Sequence, residues 1–68
     1  MWLDADFEGG KSRNSRGKTL KSAIREATKM LESVVEGQVG IFDAYSIGEF
    51  HGYVIKTRET GTFYESAT

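Results

Sequence analysis

Cysteine is absent and histidine occurs once, as His51, so neither a disulfide nor a structural zinc site is available to reinforce the chain. No apolar run approaches the roughly 20 residues of a membrane helix. The acidic opening MWLDADFE also lacks the basic start of a secretion signal. These absences lead to the expectation of a soluble, cytoplasmic protein with no membrane association. Net charge is nearly absent too, at −1, which excludes a generic polycation. With 68 residues the chain has room for one domain, residues 1–68, because chains this short bury only about 60% of their unfolded surface. Association with a second copy or another partner is therefore the expected source of extra stability, and a homodimer is the simplest form of it.

What is present is a segregation of charge. Seven of the nine basic residues, Lys11, Arg13, Arg16, Lys18, Lys21, Arg25 and Lys29, fall between 11 and 29, with Glu26 as the acid among them. Acids occupy the flanks, from Asp4, Asp6 and Glu8 on one side to Glu32, Glu36, Asp43, Glu49, Glu59 and Glu65 on the other.

The segment 1–8 alternates, with Leu3, Ala5 and Phe7 against Asp4, Asp6 and Glu8, the period of a half-buried strand. Trp2 turns outward with the acids. Gly9 and Gly10 end that strand, and the polar run to residue 18 reads as a basic loop. From Thr19 the spacing changes to three and four, through Leu20, Ala23, Ile24, Ala27, Leu31, Val34 and Val35, which predicts a helix over 19–36 with Thr19 as N-cap and Gly37 as stop. The aromatic and β-branched runs of 38–58 predict a hairpin, and 62–65 a short further strand. In the second strand, Ile41 and Tyr45 compete with Phe42 and Ala44 for the core side.

The expected fold is a small single α+β domain, β-α-β-β(-β), with a mostly antiparallel three- or four-stranded sheet covered on one face by one helix. If Tyr53 and Ile55 face that helix, Lys56 and Arg58 fall on the same side as Asp4, Asp6 and Glu8. Opposite charges across neighbouring strands contribute about 0.2 to 1 kcal/mol per pair, so this assignment gives the sheet order 1-3-2.

Strand, glycine-rich loop and "GKT" at a helix start suggest a phosphate-binding loop, which requires G-x-x-x-x-G-K-[ST]. Five residues before Gly17 stands Ser12, and five before Gly10 stands Ala5, so the spacing fails twice. Helix electrostatics give a better account of the cations. A helix favours acids in its first turn and bases in its last, whereas Lys18, Lys21, Arg25 and Lys29 crowd the first part of this one and Glu32 and Glu36 the last. Lys21, Arg25 and Lys29 are also four apart, a destabilising stack of like charges. An anion at that end resolves the conflict, and a nucleic-acid backbone is the anion that uses the whole ridge of Lys11, Arg13, Arg16, Lys18, Lys21, Arg25 and Lys29. The alternative is a protein contact: an acidic partner surface, or two antiparallel helices setting basic half against acidic half. No zinc-finger spacing, second helix or aromatic RNA-binding run points to base recognition.

Catalysis has no positive support. His51 has no nucleophile or orienting group near it in sequence, and Asp4, Asp6 and Glu8, at a spacing that suits magnesium, find ordinary partners in Lys56 and Arg58. A non-enzymatic binding or regulatory protein without metal or cofactor is expected. Trp2, Tyr45, Phe50 and Tyr53 are its candidate interface, because one helix cannot cover both faces of a sheet.

Overall fold

Alternation places Leu3 in the core and Trp2 and Asp4 in solvent, and the first strand, β1, runs over Trp2–Asp6. The computed structural model describes residues 1–10, 12–14, 19–43 and 49–67, and for 13 and 14 the backbone alone. Within the polar run after β1, Arg13–Asn14 form a two-residue strand, β2, antiparallel to β1. The Ser12 hydroxyl donates to Asp4 Oδ1 at 2.7 Å beside it, so part of the expected loop returns along the sheet edge.

The helix α1 spans Leu20–Leu31. Thr19 caps it, with its Oγ1 accepting from the Ser22 amide at 3.2 Å. Its apolar stripe buries Ala23, Ala27 and Leu31 completely, with Leu20, Ile24 and Met30 packed around them. The helix ends five residues before the expected Glu36. Glu32 and Val34 donate to the carbonyls three residues back, Lys29 and Leu31, at 3.2 Å each, a tightened last turn. β-branched Val34 and Val35 and the unfavourable acids Glu32 and Glu36 give no reason to continue. Gly37 is not the helix stop either. It opens the third strand, β3, Gly37–Phe42, and a Cβ there would lie 2.7 Å from the Phe7 Cβ. Its role is to let β3 pass beneath Phe7.

β3 is followed by β4, Phe50–Thr57, and β5, Gly61–Ser66, every neighbouring pair antiparallel, in the order β2-β1-β3-β4-β5. The α+β class, the hairpin and the last strand agree with the expectation. The order 1-3-2 does not, because β1 pairs with β3, the second predicted strand, through Leu3–Ile41 and Ala5–Val39. The error came from the face given to β4. Val54 is its buried residue, so Tyr53 and Ile55 point away from the helix, and Lys56 lies on the helix side. There the Lys56 ammonium donates to the Leu31 carbonyl at 3.0 Å, a cation at the helix C-terminus, where the dipole favours it. The expected pairing of Asp4 and Asp6 with Lys56 therefore fails: they sit on opposite faces of the sheet. Asp6 instead accepts from the side-chain amide of its cross-strand neighbour Gln38, at 3.4 Å.

The core joins Leu3, Val39, Ile41 and Val54 of the sheet to Ala23, Ala27 and Leu31 of α1, all at most 1% exposed. Ile41 thus wins the core side in β3, and Phe42 points out.

Replacing Lys56 with Met is expected to cost about 1 kcal/mol, lowering the thermal midpoint by about 4–8 °C. The same loss is expected when Asp4 and Asp6 are first changed to Asn. A loss that vanishes in that background would restore the charge pairing across the sheet.

Candidate functional site

The helix α1 covers one face of the sheet, and cross-strand register arranges the other face in rows. Trp2, Phe42 and Phe50 form the first row across β1, β3 and β4. Asp4, Gly40, Tyr53 and Glu65 form the second, and Asp6, Gln38, Ile55 and Phe63 the third, both reaching β5. The open face therefore carries aromatic rings in every row, with the acids Asp4 and Asp6 on β1 and Glu65 on β5.

Phe50 reaches this face through an irregularity. Gly52 pairs with Ile41 while Phe50 pairs with Phe42, so His51 is an extra residue in β4, a β-bulge. Strict alternation would have sent Phe50 to the same side as Val54. Instead its ring lies 5.0 Å from that of Phe42 and 4.7 Å, edge-on, from that of Tyr53. Such contacts are worth about 0.5–1.5 kcal/mol each beyond area burial. Gly40 makes room for them. A Cβ at this position would stand 3.0 Å from Phe42 Cε2 and 3.3 Å from Tyr53 Cε1, so the two rings roof a buried glycine. The cluster stays open to solvent at its rim, with Trp2 and Phe63 each 40% exposed and Tyr53 36%.

Of the expected interface, Trp2, Phe50 and Tyr53 come together on this face; Tyr45 lies outside the described residues. Sequence reasoning missed Phe42 and Phe63, whose sides depended on strand register. Tyr64, next to Phe63, lies on the core side, where its hydroxyl donates to the His51 carbonyl at 3.0 Å.

The cations lie elsewhere. Lys21, Arg25 and Lys29 form an exposed line on the outer side of α1, spanning about 12 Å at 1.5 Å per residue. Lys29 falls in the last turn of the shortened helix, where its charge suits the dipole, and the first turn holds no acid to balance Lys21. Arg13 is set on the edge strand β2, and Lys11, Arg16 and Lys18 lie outside the described residues. The acids needed for antiparallel helix pairing sit at and beyond the C-cap, Glu32 and Glu36, so α1 has no acidic half of its own.

Two further places hold several polar groups. A shallow cleft of about 330 Å³ beside the end of α1 is lined by Glu8, Ser33, Val34, Val35 and Glu36. At the mouth of the β3–β4 hairpin, Asp43, Glu49 and His51 bring one ligand atom each within 4.8 Å of one another. One nitrogen of the His51 ring, Nε2, is sealed from solvent without a hydrogen-bond partner among the described residues, a state that costs about 1–3 kcal/mol in a folded protein. Among the described residues no helix is long and apolar enough to cross a membrane. No protein-family model matches this chain, and neither a curated protein nor a solved structure resembles it significantly.

Proposed function

We propose that this protein is a non-enzymatic binding module that holds an amphipathic, basic-flanked helix of a partner protein on the open face of its sheet. The observation that supports this reading is the cluster of Phe42, Phe50 and Tyr53 rings, joined through Phe50, with Phe42 and Phe50 half-buried and Tyr53 exposed, flanked by the exposed Trp2 and Phe63. Patches of exposed aromatic surface rimmed by charge are typical of protein contacts.

Charge and width select the occupant. Asp4 and Asp6 on β1 and Glu65 on β5 stand three strand spacings apart, about 14 Å at 4.8 Å per strand, and the rings lie between them. A helix of about 10–12 Å diameter fits that channel, with its apolar stripe on the rings and Lys or Arg on either flank toward the acids. A second copy fits poorly. Two-fold face-to-face packing sets Asp4 and Asp6 against themselves or against Glu65, and the basic side of α1 packed on the open face generates an unclosed chain. A chain free of cysteine suits a reducing compartment, and the cytoplasm is the setting this proposal takes.

The test is a titration read by Trp2, the sole tryptophan, with two synthetic helices that share a Leu stripe and carry either Lys or Glu on its flanks. The Lys-flanked helix is expected to shift Trp2 emission to the blue and to bind at least about tenfold more tightly than the Glu-flanked one, a difference of about 1.4 kcal/mol. Tyr53→Asp, which removes a ring from the contact, is expected to weaken binding of the Lys-flanked helix at least about tenfold. Equal binding of both helices, or binding indifferent to Tyr53→Asp, contradicts the reading.

The second reading keeps the nucleic-acid backbone as partner of the basic side. The exposed line of Lys21, Arg25 and Lys29 is the observation that favours it, and the acids of the open face make that side unsuited to a phosphate strand. Three neutralised phosphates predict a salt slope of about −2 to −3 in log affinity against log salt. Fluorescence anisotropy with a mixed-sequence duplex and single strand should show that slope, and loss of binding when the three cations become Glu. No binding at low salt removes this reading.

A further inference from the structure

We propose that Asp43, Glu49 and His51 bind a divalent transition-metal ion of the Zn²⁺ class, which clasps the mouth of the β3–β4 hairpin. The three residues offer one ligand atom each within a 4.8 Å cluster. Their backbones are held independently of any ion. The Asp43 amide donates to the Glu49 carbonyl at 2.9 Å, and the His51 carbonyl accepts from the Ala67 amide and the Tyr64 hydroxyl, each at 3.0 Å.

Two carboxylates near each other are an ordinary surface feature. The imidazole changes the case. His51 is the extra residue of the bulge, and its Nε2 is out of contact with solvent and has no hydrogen-bond partner among the described residues. Imidazole nitrogen is the commonest metal ligand among side chains, and the cluster sets this ring beside two carboxylates. The expectation that the chain holds no zinc site counted Cys and His alone; here carboxylates supply two of the donors.

The donor set narrows the ion. One imidazole nitrogen with two carboxylate oxygens carries a charge of −2 against a divalent cation. The imidazole favours Zn²⁺ and its transition-metal neighbours over Mg²⁺ and Ca²⁺, and the lack of thiolate disfavours Cu(I). Zn²⁺ with ligands at about 2.0–2.2 Å needs donors about 3.4 Å apart, so small side-chain rotations close the cluster around it. Three protein ligands leave a fourth position for water or for a side chain of a partner. The site adjoins Phe42 and Phe50, and an ion there would fix one end of the aromatic rows. It does not depend on the helix-binding reading, since it uses no residue of that channel's acidic rim.

Calorimetric titration of the full chain with Zn²⁺, and with Co²⁺ read by its visible absorption, tests the site directly. The expected result is one ion per chain at about micromolar concentration, four-coordinate Co²⁺ absorption that Zn²⁺ displaces, and a rise in thermal midpoint. Millimolar Mg²⁺ or Ca²⁺ is expected to leave the midpoint unchanged. His51→Gln should weaken Zn²⁺ binding by more than about tenfold, with the amide NMR spectrum of the fold retained. If that variant unfolds, the pair Asp43→Asn with Glu49→Gln carries the same prediction. Absence of Zn²⁺ binding, Mg²⁺ acting as well as Zn²⁺, or undiminished binding by the folded variants would overturn the proposal.

Discussion

A sheet has two faces, and the described residues supply one helix to cover them. Everything else about the molecule follows from how that shortage is met. The helix takes the face that carries Leu3, Val39, Ile41 and Val54, and the small side chains of Ala23 and Ala27 let it lie close. What remains is a face on which the chain has spent Trp2, Phe42, Phe50, Tyr53 and Phe63, residues that a solvated surface has no use for. Gly40 is the detail that ties that surface to the fold, since the absence of its side chain lets the edges of two rings close over the central strand.

The two sides of the molecule differ in charge as well as in polarity. Lys21, Arg25 and Lys29 project from the helix, and Asp4, Asp6 and Glu65 from the open face, so helix and sheet separate what the sequence segregates along the chain. The two proposed readings use these sides separately, a basic partner on the acid-flanked aromatic face and an anionic one along the helix cations.

Much of this was legible before any coordinates. The alternation of residues 2–7, the helical stripe with its Thr19 cap and the hairpin were plain because each has a strong period, whereas the end of the helix, expected at 36, lies at Leu31. The outward turn of Trp2 came with them. Where the reading failed, one parity error spread. Tyr53 and Ile55 look like core residues, and so does Val54; the choice between them turns on one small step of register, which local sequence does not encode. Taking the wrong step put Lys56 beside the acids and then put β4 beside β1. The bulge at His51 was hidden for a related reason, because an extra residue shifts alternation without changing composition. Phe50 reached the aromatic face by that shift alone. The site at Asp43, Glu49 and His51 was invisible because its members look unrelated until the hairpin closes and the bulge reorients one of them.

An acid-flanked aromatic face that stands open in the free protein is reported by the emission of Trp2, the sole tryptophan. Quenching by caesium and by iodide compares how readily a cation and an anion reach that ring. Accessible emission quenched more strongly by caesium is expected, because Asp4 and Asp6 share the face. Blue-shifted emission resistant to both ions would mean that the face is already covered, and would contradict this expectation.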